Sequence, residues 1–242
     1  MFFAVRDFFF AGSYTHLWYL PATIVAVVMV ALVKRNKIAY KIVFPIAFVL
    51  YGVGLLGQSY NGLLNLFIDN NAFLRMIWEG MHLIIATTRN GVFFGFLFVL
   101  TGAYIAEKEW KYTKGLFWAW ASSMLLFFLE VFMLRSLGWI KDGNMYVCMY
   151  PAVVLVFIMV SNWEPKWNIN YRDIRSCSSL IFYVHLWIAG VLTLIEEYSV
   201  RIGCVLEINS LLKFFVVTIL SILLSYNICL ISREKKILRN IY

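Results

Sequence analysis

Apolar runs of about 20 residues recur along this chain, and few charges interrupt them. As a helix, such a run spans about 30 Å, the thickness of the hydrocarbon core of a bilayer. Only 14% of the 242 residues are charged, while 62% are apolar and 18% aromatic. A soluble domain holds about 25% charge. A soluble fold would need several fully buried helices in one small protein, which surface-to-volume scaling forbids. The expected fold class is therefore all-α, a polytopic transmembrane helix bundle forming a single membrane domain over residues 1–242.

Seven spans are predicted, at 17–33, 38–57, 91–106, 115–134, 145–161, 179–194 and 209–231. The formal net charge of +8 does not point to nucleic acid, because the basic residues sit in short loops between spans. Lys34, Arg35, Lys37 and Lys41 fill the first connection. Lys108, Lys111 and Lys114 fill the third, Lys166, Arg172 and Arg175 the fifth, and Arg233, Lys235, Lys236 and Arg239 the tail. Fourteen of the 21 Lys and Arg residues thus fall on one side, which the positive-inside rule makes cytoplasmic. The N-terminus is expected outside and the C-terminus inside, in the plasma or inner membrane.

The long outer connection contains residues 66–86, whose apolar positions recur at three- and four-residue steps. This predicts an amphipathic helix at the outer interface, or a re-entrant segment lining a cavity. Gly91, Gly95 and Gly102, and the cluster Gly52, Gly54 and Gly57, predict close helix contacts. No internal repeat is visible. The four cysteines show no CxxC spacing. On this topology Cys148 and Cys204 lie near the outer face, the compartment that tolerates a disulfide, and Cys177 and Cys229 near the inner face. Four unpaired thiols are expected.

Ionisable groups within a membrane domain are functional candidates by default. His16 opens the first span beside Trp18 and Tyr19. An aromatic belt accounts for the rings, and His16 remains a candidate for ligand binding. Arg89 and Asn90 open the third span. Arg89 either grips a carboxylate or phosphate with two parallel donors or snorkels to headgroups. His185, inside the sixth span, either bridges helices or relays protons. Glu79 and His82 are spaced to share a helix face, but no further ligands are spaced to make a metal site with them. Glu130 is expected to pair with Arg135 at the outer interface. The substrate-binding candidates are thus His16, Trp18, Arg89, Asn90, His185, Glu79 and His82. No catalytic residue is identifiable, and no nucleophile motif is present.

Three of these strings resemble a known family. His16-Leu17-Trp18-Tyr19-Leu20-Pro21 resembles the HLWFL signature of the acyltransferase 3 membrane proteins. Arg89-Asn90-Gly91-Val92-Phe93-Phe94-Gly95-Phe96, followed by Gly102, resembles that family's next signature helix. Ile181-Phe182-Tyr183-Val184-His185 resembles its IYLIH helix, with Leu186 where proline usually follows. The chain is similar, too, to the membrane domain of vancomycin-resistance serine racemases. In those proteins a C-terminal racemase domain follows, which this chain is expected to lack.

The family resemblance implies transfer of an acyl group, often acetyl from acyl-CoA, to a hydroxyl of an envelope carbohydrate or a similar small acceptor. It implies acyl-CoA as donor substrate and no resident cofactor. It implies ten spans, of which this chain would hold the last seven. The family's catalytic first-span histidine has no counterpart here, so the missing N-terminal half, or a second copy in a homo-oligomer, would complete the enzyme. The racemase resemblance implies instead a small-solute, serine-like carrier domain. A third expectation is an inactive truncated remnant. The lipid bilayer is the partner common to all three.

Overall fold

The structure is a computed structural model that describes residues 6–7, 10, 18–108, 110–111, 113–163, 171–201 and 209–234. The chain divides into two compact units, Met1–Glu164 and Pro165–Tyr242. Among the described residues all regular structure is helical.

The first unit opens with α1 (Tyr19–Arg35). Pro21 sits in its first turn, where a missing N–H costs nothing. Lys34 and Arg35 close its last turn, where the helix dipole favours cations. Helix α2 (Tyr40–Leu56) runs into a break at residues 57–60, and α3 (Asn61–Ile68) leaves that break bent by 84°. Helix α4 (Ala72–Ile85) is capped by Asn71, whose side chain accepts from the Phe73 and Leu74 amides at 3.1 Å each. One turn of π-helix, Gly91–Gly95, leads into α5 (Phe96–Lys108). Helices α6 (Lys114–Ser136) and α7 (Met149–Ser161) complete this unit and pack against each other.

The core of the unit lies where α1, α2 and α5 meet. Val30, Val43, Ala47, Tyr51, Leu55, Phe96, Leu97, Leu100 and Met145 are buried together there. The Tyr51 hydroxyl donates to the Tyr146 carbonyl at 2.7 Å, which ties α2 to the loop before α7. Gly91 and Gly95 let the π turn rest on α1: a Cβ on Gly91 would collide with the Ala22 carbonyl, and one on Gly95 would sit 3.1 Å from Ala26 Cβ. Gly54 and Gly57 are packed equally tightly, against Met145 and Thr88. Gly52 and Gly102 are not, since a Cβ there meets nothing within 4 Å. They line open apolar grooves of about 340 and 230 Å³ instead of a helix contact.

The second unit is a helical hairpin of α8 (Tyr171–Arg201) and α9 (Ser210–Glu234).

Among the described residues four helical segments are long and apolar enough to cross a bilayer: Gly91–Lys108, Lys114–Ser136, Ile174–Arg201 and Ser210–Ile231. The bent α2–α3 pair makes a fifth if read as one span. Only 6% of the apolar window of α6 is buried within the protein, an arrangement suited to lipid and not to water. By length and composition these helices suit a membrane protein. Of the seven predicted spans, four or five are thus of full length among the described residues. The 17 residues of α1 extend about 25 Å. The predicted fifth span shrinks to the 13 residues of α7, because Met145 and Tyr146 are buried in a loop. The predicted sixth span grows to 31 residues. The amphipathic stretch 66–86 resolves into two helices, since Asp69–Asn71 breaks it.

Candidate functional site

Three non-helical segments of the first unit converge on Gln58. At the α2–α3 break, Gly57 and Ser59 flank Gln58, and a Cβ on Gly57 would strike Thr88 Oγ1. Between α4 and the π turn, Ala86 adopts φ +60° and ψ −54°, and the Thr87 amide donates to the Ile85 carbonyl at 2.7 Å. That is a γ-turn of the rare, strained form. Before α7, Gly138 takes φ +66°, a conformation that costs glycine nothing.

Gln58 is 1% exposed and satisfies all three segments. Its Nε2 donates to Thr87 Oγ1 at 3.4 Å and Thr88 Oγ1 at 3.3 Å. Its Oε1 accepts from Asn144 Nδ2 at 3.1 Å, and its carbonyl accepts from the Lys141 amide at 3.2 Å. Thr88 Oγ1 donates on to the Gly54 carbonyl at 3.1 Å. In a bilayer, backbone outside regular helix persists only where it is buried in protein or lines a cavity. This network provides the burial.

Arg89 stands beside the network. Its Nη1 donates to Asn144 Oδ1 at 3.3 Å, and its guanidinium carbon lies 4.9 Å from the Trp18 ring centroid. Trp18 in turn meets Phe94 edge to face at 5.7 Å. Among the described residues Arg89 Nε is buried with no hydrogen-bond partner, and no carboxylate pairs with this guanidinium. A half-buried arginine held on an aromatic face, with donors to spare, is equipped to take an anion. Asn90 is fully buried and structural in its contacts. Its Oδ1 accepts from the Val92 and Phe93 amides at 2.9 and 3.0 Å, and its Nδ2 donates to the Thr87 carbonyl at 2.8 Å.

The structure therefore brings Trp18, Arg89 and Asn90 together. His16 lies outside the described residues. His82 meets Trp78 edge to face at 5.0 Å and its Nδ1 faces the Ala86 carbonyl at 3.3 Å, so it braces the end of α4. Glu79 is exposed, and no hydrogen bond joins it to His82. His185 belongs to the second unit, where its Nδ1 faces the Ile181 carbonyl one turn back at 3.0 Å. Among the described residues no three metal-ligating side chains gather.

The expected Glu130–Arg135 ion pair is not formed. Glu130 is 7% exposed, and its Oε1 accepts from the Tyr60 hydroxyl at 2.6 Å and the Val147 amide at 2.7 Å. Its Oε2 accepts from the Cys148 amide at 2.7 Å. It thus supplies the N-terminus of α7 with the anion that the dipole favours there. At a five-residue separation Arg135 lies on a different face of α6, which is why the pair fails.

Gln58, Thr87, Thr88 and Asn144 carry the site's framework, yet nothing in the apolar pattern singles them out. The legible signal is the polar, glycine-flanked string Gly57-Gln58-Ser59-Tyr60-Asn61-Gly62 between two apolar helices.

Comparison with known proteins narrows what this geometry serves. No family model matches the chain, so the acyltransferase 3 resemblance gains no support there. No solved structure matches it. Racemases do. An amino-acid racemase of Enterococcus faecalis is 33% identical over 171 residues, covering 70% of this chain and 23% of the relative. A second amino-acid racemase of Enterococcus faecalis is 28% identical over 238 residues, 96% of this chain and 32% of the relative. A serine/alanine racemase of Enterococcus gallinarum is 27% identical over 228 residues, 93% of this chain and 30% of the relative. The chain spans about a third or less of the length of these curated relatives. They support the racemase resemblance, and none is named an acyltransferase.

Proposed function

We propose that this chain is a membrane domain that carries a small amino acid such as serine across the bilayer, with Arg89 holding the substrate carboxylate. Its C-terminus and the basic loops face the cytoplasm, and the α2–α3 break lies toward the outer side of the plasma membrane. The observation that carries this reading is Arg89: a half-buried guanidinium with a free Nε, seated on Trp18, beside a broken helix.

Two kinds of support converge on that residue. Broken helices serve solute carriers because their freed carbonyls and amides can meet a charged substrate inside a low-dielectric environment. A planar guanidinium meets a carboxylate through two parallel hydrogen bonds, a geometry a lysine cannot copy. The substrate ammonium would then face the amide and carbonyl oxygens around Gln58 and Asn144. The racemase relatives supply the substrate class, since their names specify amino acids.

The test is uptake of labelled serine by proteoliposomes containing the purified chain, with no acyl donor present. We expect time-dependent uptake, reduced about tenfold or more at low substrate by Arg89→Gln, and reduced by Arg89→Lys as well. A hydrogen bond to a charged group contributes about 1.5–3 kcal/mol, which sets that scale. Uptake equal to that of empty liposomes would refute the carrier reading. Acyl-CoA consumption by the same preparation would return the acyltransferase reading to the front.

A further inference from the structure

We propose that Cys177 and Cys229 form a redox modification site, a dithiol that a peroxide converts to a disulfide clamping α8 to α9. The inference concerns the second unit alone and is independent of the carrier reading.

The two helices of the hairpin meet at matched positions. Lys213 Nζ donates to Thr193 Oγ1 at 3.1 Å and to Glu196 Oε2 at 2.5 Å, near the connected end. Cys177 Sγ and Cys229 Sγ lie 2.8 Å apart, near the open end. Sixteen residues separate the two contacts on each helix, so both are rungs of one antiparallel register about 24 Å apart. Between them, Ser221 and Ser225 are fully buried and recur at the four-residue step that reaches Cys229. Small side chains on that stripe let two helix backbones approach closely, as disulfide geometry requires. The thiols are therefore not neighbours by an accident of two long side chains. They are held side by side by the packing of the whole hairpin.

The two sulfurs differ in access. Cys177 is half-buried and lies six residues from the start of α8, while Cys229 is buried. Cys177 is the sulfur an oxidant reaches first, and Cys229 is the resolving partner. The thiolate of Cys177 attacks one peroxide oxygen. The O–O bond breaks, water leaves, and a sulfenic acid remains. Cys229 sulfur then attacks Cys177 sulfur, the S–S bond forms, and hydroxide departs as water with the thiol proton. Two thiols lose two electrons and one peroxide becomes two waters. A small-molecule thiol reverses the bond by exchange. On the cationic-loop topology this end of the hairpin faces the cytoplasm, where thiols rest reduced. The site is thus open in ordinary conditions and closes under peroxide.

The experiment uses the full chain in membranes, with Cys148→Ser and Cys204→Ser leaving only the two thiols of interest. Membranes are exposed to hydrogen peroxide, free thiols are blocked with a small maleimide, and the sample is reduced and labelled with a polymer-bearing maleimide. We expect most of the chain to gain two labels together, and Cys177→Ser to gain none. Peptide mass analysis of the unaltered chain should show the Cys177 and Cys229 peptides joined with the loss of two hydrogens, which keeps the test valid if a variant folds poorly. The proposal fails if peroxide leaves both thiols open to the first maleimide. It fails equally if Cys177 proceeds to a sulfinic acid unjoined, or if the bond forms between two copies of the chain.

Discussion

Asn144 donates through Nδ2 to Gln58 Oε1 at 3.1 Å, which joins the loop before α7 to the break between α2 and α3. Because Gln58 also contacts Thr87 and Thr88, one amide side chain holds three irregular segments together. Gln58→Leu keeps the volume but deprives the half-buried Asn144 amide of its acceptor and takes one donor from each of the Thr87 and Thr88 hydroxyls. We expect a loss of about 2 kcal/mol in stability, read by unfolding in detergent, and a fall in serine uptake that exceeds the fall in folded protein.

Glu130 makes a second prediction, one that separates its observed role from a surface ion pair. Glu130→Ala strands the Val147 and Cys148 amides and the Tyr60 hydroxyl at once. The expected cost is about 3 kcal/mol. Arg135→Ala should stay within about 0.5 kcal/mol of the parent, as for an ordinary surface change. Equal losses in the two variants, measured side by side by thermal unfolding, would restore the ion pair.

The glycines divide into two classes that alanine can distinguish. Gly91→Ala forces a Cβ onto the Ala22 carbonyl, a backbone atom that cannot step aside. Overpacking of this kind costs about 1–3 kcal/mol. Gly102→Ala enters open space within α5, so the higher helix propensity of alanine should stabilise the chain by about 0.5–1 kcal/mol. Opposite signs in unfolding temperature are the expected result.

Ala86 provides the fourth. Its φ of +60° and ψ of −54° place a side chain where glycine is the less strained residue. Relief of about 1–3 kcal/mol of strain outweighs the extra unfolded-state entropy of glycine, about 1 kcal/mol at most. Ala86→Gly should therefore raise stability by about 1 kcal/mol. A lowered unfolding temperature would show that the turn is not strained.

The apolar runs make α5, α6, α8 and α9 legible in the amino-acid order, since a helix must meet its own hydrogen bonds in lipid whatever surrounds it. Arg89 and Asn90 are legible as candidates as well, because polar groups stand out against so apolar a background. The true partners of Glu130 and the idle state of Gly52 and Gly102 are not. Each depends on which distant side chain arrives opposite, and spacing along one helix carries no record of that.

What the sequence determines by itself is the kind of element: so many apolar segments with so few charges favour long helices suited to a bilayer. What tertiary structure alone decides is which partners hold the irregular segments between those helices. Gln58 can hold three breaks because residues 29, 30 and 86 positions away fold back onto it, and a buried polar group takes its partners from space rather than from chain order.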